Sequence, residues 1–345
     1  PFTMNDATLT PVSEIEATLI SDLKECINLL PASWSGQDLA RATSGAAATL
    51  LGKIYLRNHD YANAKTYIDM VLNSGQYELG RDFKYVWSEN NKYGKEMIFA
   101  LLHETGNNAA EIACHFGPSD HPEVPGRWQY YGVSLPFWRS YDKEDPRREF
   151  FYYDYTGDAK RDDQSDYGFH YMVPEEGVTV VPNDTTKYMQ NVATMKYTYD
   201  MISDAYYDGR TICIFRLSDV ILCKAEIENN LNGPAAALPY LNQIRARAGA
   251  PEYGKHNRFP APSTKEAMND AILKERGYEL VFEFQRRADL IRFGKYEEVV
   301  NAHLKKLGIA QPTNVTSSLR YFPYPLNDAQ LNPNLAAENP SRLPK

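Results

Sequence analysis

Between residues 14 and 30, Ile15, Leu19, Leu23, Ile27 and Leu30 recur at helical spacing, the pattern of an amphipathic helix. Pro31 then ends it, since a proline brings no backbone N–H to the next turn. A second helical pattern runs from about residue 40 to 57 and is rich in small residues at "SGAAATLLG". A third, from about residue 62 to 72, stops at "NSGQY". Gly52, Tyr55 and Ala64 lie 3 and 12 residues apart, as the small, aromatic and small positions of a tetratricopeptide helix pair do. The spacing returns at Ala225 and Ala237, with Leu241 and Ile244 at the offsets that Ile68 and Val71 occupy in the first copy. The fold class expected is mostly α, a tetratricopeptide-type helical hairpin scaffold with a long loop-rich, aromatic-rich insertion. Helical hairpins are assigned to residues 12–75 and 211–300, the variable insertion to 103–210 and an extended tail to 301–345.

The insertion differs in character from the rest. It carries clusters of Pro, Gly and Asp with few helical runs, and places eleven aromatic residues in the 29 positions from Arg127 to Tyr155, against 12% for the whole chain. Loops on a rigid scaffold are where binding residues concentrate. A flat ring can stack on the C–H face of a sugar while nearby polar groups bond its hydroxyls, so such a cluster suits a saccharide platform. Trp128, Tyr130, Tyr131, Trp138 and Tyr141 are the candidate platform, with Arg127 and Gln129 as polar companions and Tyr206 and Tyr207 as second choices. Packing competes with that role. The run "FFYYDY" alternates as a strand that buries Phe150, Phe151 and Tyr153, and Trp128 with the Tyr130/Tyr131 pair sits beside Pro125, Gly126 and Gly132.

The stretch "ERGYELVFEFQRRADLIR", residues 275–292, raises the possibility of acid–base chemistry. On one continuous helix, Glu275, Arg276, Glu279, Glu283, Arg286 and Arg287 fall in an arc of about 120°, opposite Leu273, Leu280, Val281, Phe284 and Ala288. Tyr278 and Phe282 widen the apolar side. Glu283 would reach Arg287 and Arg276 would reach Glu279. A catalytic carboxylate pair needs unequal environments, whereas here each acid has an arginine to hold it ionised. The stripe therefore reads as an ion network between packed helices that fixes their register.

Composition narrows the functional classes. The net charge of −8 argues against nucleic acid as a partner. No run approaches the ~18 to 20 apolar residues of a membrane-spanning helix. The four cysteines, Cys26, Cys114, Cys213 and Cys223, have neither zinc nor C-x-x-C spacing and read as free thiols. "SDLK" at Ser21–Lys24 fits S-x-x-K but lies on a plain amphipathic helix without companion motifs. "HETGN" from His103 lacks the second histidine of a zinc helix. His115 and His121 read as surface histidines in a Pro-rich loop. Asp158, Asp162, Asp163 and Asp166 offer oxygen ligands suited to calcium, but without EF-hand spacing they read as a solvated turn. No cofactor is expected.

"ERGYELVFEFQRRADLIRFGK" resembles the C-terminal signature of SusD/RagB-like proteins, surface nutrient-binding lipoproteins of Gram-negative bacteria. The likeness continues in "LNQIRARAG", "FRLSDVILCKAEI", "PYPLNDAQLNPNLAAENP", "RATSGAAATLLGKIYL", "NSGQYELGRDFKYVW" and "YDKEDPRREF". Gly277, Phe284, Ala288 and Glu338 depart from the usual residues, in the scaffold. The resemblance implies a non-catalytic protein that binds a glycan and delivers it to a SusC-like TonB-dependent transporter. It also implies an outer-membrane, cell-surface location through an N-terminal lipid anchor, which lies with a first block of helices ahead of this chain. A peptide-binding member of the family and a glycoside-cleaving enzyme remain as alternatives.

Overall fold

The computed structural model describes residues 8–105, 112–118, 121–124, 128–157, 169–177, 186–200, 209–308 and 315–338. Arg127, Tyr206, Tyr207 and the four aspartates of the 158–166 cluster lie outside these described residues.

Three helices open the scaffold: α1 (Val12–Leu29), α2 (Ser44–Arg57) and α3 (Tyr61–Leu72). Their limits follow from capping. The Thr43 hydroxyl accepts from the Ala46 amide to start α2, and the Asp60 carboxylate accepts from the Asn63 amide to start α3, each satisfying an amide the first turn leaves open. The short α4 (Phe83–Val86) and strand β1 (Met97–Leu101) follow.

The insertion leaves from β1. It contains α5 (Ile112–Phe116), β2 (Val133–Ser134), α6 (Leu135–Arg139), β3 (Phe151–Tyr152), β4 (Asp154–Thr156), β5 (His170–Met172), β6 (Thr186–Tyr188) and β7 (Asn191–Thr194). Strand β8 (Ile212–Arg216) then pairs antiparallel with β1, so the excursion departs from and returns to one place on the scaffold. Within it, β7 lies between β2 and β3, while β5 joins β4 antiparallel and β6 parallel.

The second half supplies α7 (Leu217–Asn232), α8 (Pro234–Ala248), α9 (Lys265–Glu279), α10 (Arg286–Arg292), α11 (Tyr296–Lys306), α12 (Leu326–Leu331) and α13 (Pro333–Glu338). The last two replace part of the extended tail expected from the sequence. The α2/α3 and α7/α8 pairs are the helical hairpins that the small-residue spacing predicted. Ala64, Ala225 and Ala237 are fully buried at the contacts. A Cβ built on Gly52 would stand 3.0 Å from the Ile68 side chain, so the glycine lets α2 and α3 approach closely there without displacing Ile68. One apolar layer joins α2, α3 and α7 through Leu56, Ile68, Val220 and Ile227. The next joins α7, α8 and α9 through Leu222, Leu241, Ile244 and Ile272.

One expectation fails. The 273–292 stretch is broken into two helices: α9 ends at Glu279, and α10 begins at Arg286. Between them Phe282 and Phe284 adopt φ of +60° and +62°, a conformation that costs a bulky residue on the order of 1–3 kcal/mol. The break turns Glu283 inward, away from Arg287, and lets the Tyr197 hydroxyl donate to the Phe282 carbonyl at 2.9 Å. The intrahelical pairs drawn on the wheel do not form.

Long-range pairs take their place. Arg216, fully buried, binds Glu96 at 2.7 Å, Glu279 at 2.7 Å and Glu283 at 2.6 Å. Arg147 binds Asp145 at 2.7 Å, Glu275 at 2.6 Å and Glu279 at 3.0 Å, and Arg245 binds Glu275 at 2.7 Å. Arg276 bridges Asp219 at 2.7 Å and Asp289 at 2.8 Å. Lys196 closes the set on Glu283 and donates to the Glu279 carbonyl at 2.9 Å. Burial works to raise the Glu279 pKa, yet Arg247, Arg216 and Arg147 outweigh it and hold the carboxyl well below its usual range. Burial dominates at Lys196, where it brings the ammonium down to about 8 against the pull of Glu283. Glu275, Arg276, Glu279 and Glu283 of the stripe are therefore part of a sealed clamp that ties the insertion to the scaffold through Arg147 and Lys196.

Candidate functional site

The candidate platform divides into two groups. Trp128, Tyr130 and Tyr131 stand on the surface, 39%, 65% and 54% exposed. Their segment is held at both ends: the Trp128 amide donates to the Cys114 carbonyl at 2.7 Å, and the Tyr131 amide to the His115 carbonyl at 3.1 Å. Both acceptors belong to α5, so the helix positions the rings. His115 is the hub. Its imidazole lies 5.3 Å from Trp128 and stacks 5.5 Å from Tyr130 with 27° between the planes. Trp128 and Tyr130 are themselves 5.5 Å apart at 32°, within the offset range that aromatic pairs prefer.

Underneath, Phe116 connects this surface to the interior. It meets Tyr131 at 5.4 Å, Tyr197 at 4.7 Å and Phe282 at 4.9 Å. The exposed rings therefore rest on a rigid base reaching the α9–α10 break. Gln129 has a left-handed φ of +49° between the two exposed aromatics, and its amide donates to Asn191 Oδ1 at 3.2 Å. Asn191 opens β7 and is exposed, so it and Gln129 form a polar rim next to the rings.

Trp138 and Tyr141 belong elsewhere. They are 4% and 3% exposed and pack with Val133, Phe151, Val192 and Tyr278. Trp138 donates to the Arg148 carbonyl at 3.1 Å, beneath the Arg148 guanidinium at 4.0 Å. Tyr141 donates to the Tyr278 carbonyl at 3.0 Å and stacks on its ring at 4.2 Å. The two lie three residues apart, so α6 and the turn after it place both on one inward face. Neither offers a ring face to a ligand, which corrects the expectation for these two positions. The "FFYYDY" run also differs in detail: Phe150, Phe151 and Tyr152 are buried, and Tyr153 is half-buried.

His115, expected as a plain surface histidine, is the residue that sequence reasoning missed. Thirteen residues separate it from Trp128, and no short-range spacing marks a stack formed across that gap. His121 packs separately, 4.8 Å from Tyr152 and 4.9 Å from Tyr155. Among the described residues, no group of three or more His, Cys, Asp or Glu side chains is arranged to hold a metal ion. Two clefts among the described residues, of about 620 and 320 Å³, are lined by scaffold residues and by Phe137 and Ser140. The exposed rings form an open face outside both.

The SusD family model matches residues 73–341. The chain belongs to the SusD family. A SusD-like protein of Formosa agariphila is 26% identical over 94% of this chain and 63% of its own length. The chain thus spans somewhat under two thirds of that relative. Among solved structures, a SusD superfamily protein from Bacteroides vulgatus superposes with a TM-score of 0.70 at 24% identity, covering 96% of this chain and 69% of that one. Surface glycan-binding protein A from Bacteroides thetaiotaomicron, solved in complex with laminarihexaose, superposes at 0.68 with 21% identity, covering 94% and 70%. These likenesses show the SusD-like fold, with its helical scaffold and few strands.

Proposed function

We propose that this protein binds a glycan at the cell surface, without cleaving it, and hands it to a TonB-dependent outer-membrane transporter. The single observation that carries the binding step is the fan of Trp128, Tyr130 and Tyr131, exposed and seated on His115 and Phe116. Three ring faces on one open surface suit successive sugar units of a chain, each stacking its C–H face while Gln129 and Asn191 bond hydroxyls at the rim. Arg127, adjoining Trp128 in sequence, is proposed as a further polar contact.

Family membership supports the transporter and the lipid-anchored surface location, which belong to the same reading. The glycan named for the Bacteroides thetaiotaomicron neighbour supports a saccharide as the ligand class. The carboxylates of the 275–289 region support a binding role over a hydrolytic one, because they are buried and paired with arginines. Calorimetric titration against a panel of glycans, run beside a reducing-sugar release assay, tests the reading. Binding without release is expected. Sugar release at enzymatic turnover, or binding of peptides but of no glycan, would overturn it.

A further inference from the structure

A separate cleft of about 320 Å³ lies where α6, α9, α10 and α11 meet, with Phe137, Leu273, Tyr278 and Val299 among its apolar walls. Its charged residues are Asp270, Lys274, Arg286, Lys295 and Glu298. The two acids stand 3.5 and 3.4 Å from Lys295, which offsets one of their two charges, and the positive side of the cleft is that of Arg286 and Lys274. Lys274 sits over the Tyr278 ring at 5.6 Å.

Arg286 is different from its neighbours. Arg147, Arg216, Arg276 and Arg292 each bind carboxylates, and their charges are favoured despite burial. Arg286 has no carboxylate partner among the described residues; its Nη1 donates to the Leu273 carbonyl at 2.7 Å. Burial is the main influence on it and lowers its pKa. A Cβ on Gly277 would stand 3.1 Å from Nη1, so the guanidinium packs closely over the bare glycine. Nε and Nη2 make no hydrogen bond among the described residues, and the side chain lines the cleft. They remain open as donors to the cleft, where a guanidinium without an ion-pair partner, its charge supported by the more distant Asp289, favours an anion held by paired N–H bonds.

We propose that this cleft is a second ligand site, which takes a small carboxylate-bearing sugar of the hexuronate class. Its volume is at the lower end of the roughly 300–1,000 Å³ of small-molecule sites, which suits one saccharide unit better than a chain. The carboxylate pairs with Arg286, Lys274 adds charge at the rim, and the sugar's C–H face meets the apolar wall. The site is independent of the Trp128 platform.

The test is titration of the full chain with glucuronate, glucose and inorganic sulfate at low and high salt. Glucuronate is expected to bind roughly tenfold more tightly than glucose or sulfate, with affinity falling as salt rises. Arg286→Gln is expected to remove that preference. Equal binding of glucuronate and glucose, sulfate as tight as glucuronate, or a folded Arg286→Gln protein with unaltered affinity would overturn the proposal. If Arg286→Gln does not fold, the exposed Lys274→Gln decides: several-fold weaker, less salt-sensitive binding supports the site, and no change overturns it.

Discussion

The clamp beneath the α9–α10 break and the ring platform on α5 are built from residue types that both suggest function, yet they face opposite ways. In the clamp, Arg147, Arg216 and Glu279 are at most 1% exposed and are bonded to one another or to further buried partners. In the platform, Trp128, Tyr130 and Tyr131 each keep more than a third of their surface open. Charge density marks the framework here, and exposed apolar area marks the site. A buried ion pair repays its desolvation only with excellent geometry, so this cluster suits fixing one arrangement of helices. A flat aromatic surface left in water is a standing cost that a ligand removes.

That contrast breaks most sharply at the clamp. Arg216→Ala leaves Glu96, Glu279 and Glu283 without their shared partner, and is expected to destabilise the fold by about 3–5 kcal/mol. Chemical denaturation measures it. Trp138→Ala, which empties a buried site of similar weight, is expected to cost about 3–5 kcal/mol in stability while the folded fraction keeps its glycan affinity. Loss of affinity with no loss of stability would return Trp138 to the binding face.

Acid sharpens the same comparison. Burial alone would raise Asp219, Glu279 and Asp289, but the arginines and Lys53 overcome it and hold all three below their ordinary pKa values. The unfolded chain therefore binds more protons than the folded one as pH falls through the ordinary carboxylate range near 4. The stabilisation is full above that range and lost progressively below it. A pH series of unfolding midpoints should slope downward there, with a smaller slope in Asp289→Asn.

At the platform, Trp128→Ala is expected to weaken glycan binding by on the order of 1–2 kcal/mol, roughly 5- to 30-fold, with an unchanged unfolding midpoint. The smallest effect is expected at the break. Phe284 is 71% exposed with positive φ, so Phe284→Gly relieves strain and should shift stability by less than about 1 kcal/mol in either direction. Phe282→Gly loses the contact with Phe116 and should be clearly destabilising by the same denaturation measurement.

Helical periodicity revealed much of the scaffold. The 3- and 12-residue spacing around Gly52 and Ala64, and again at Ala225 and Ala237, reports contacts between sequence neighbours, which a linear pattern preserves. The α9–α10 break was hidden because a helical wheel assumes the continuity it is used to test. Glu283's partners, Lys196 and Arg216, stand 87 and 67 residues away. Aromatic content located the platform's segment but could not separate Trp128 from Trp138. Orientation there depends on α5 capturing one tryptophan's backbone and α6 turning the other inward, and His115 enters only through that fold.

Most direct is a calorimetric titration of Trp128→Ala/Tyr130→Ala with the tightest-binding glycan of the panel. A folded double variant that has lost saccharide recognition is the expected result: ring faces outside the framework hold the ligand. Undiminished affinity in that folded variant would place recognition elsewhere and contradict the platform.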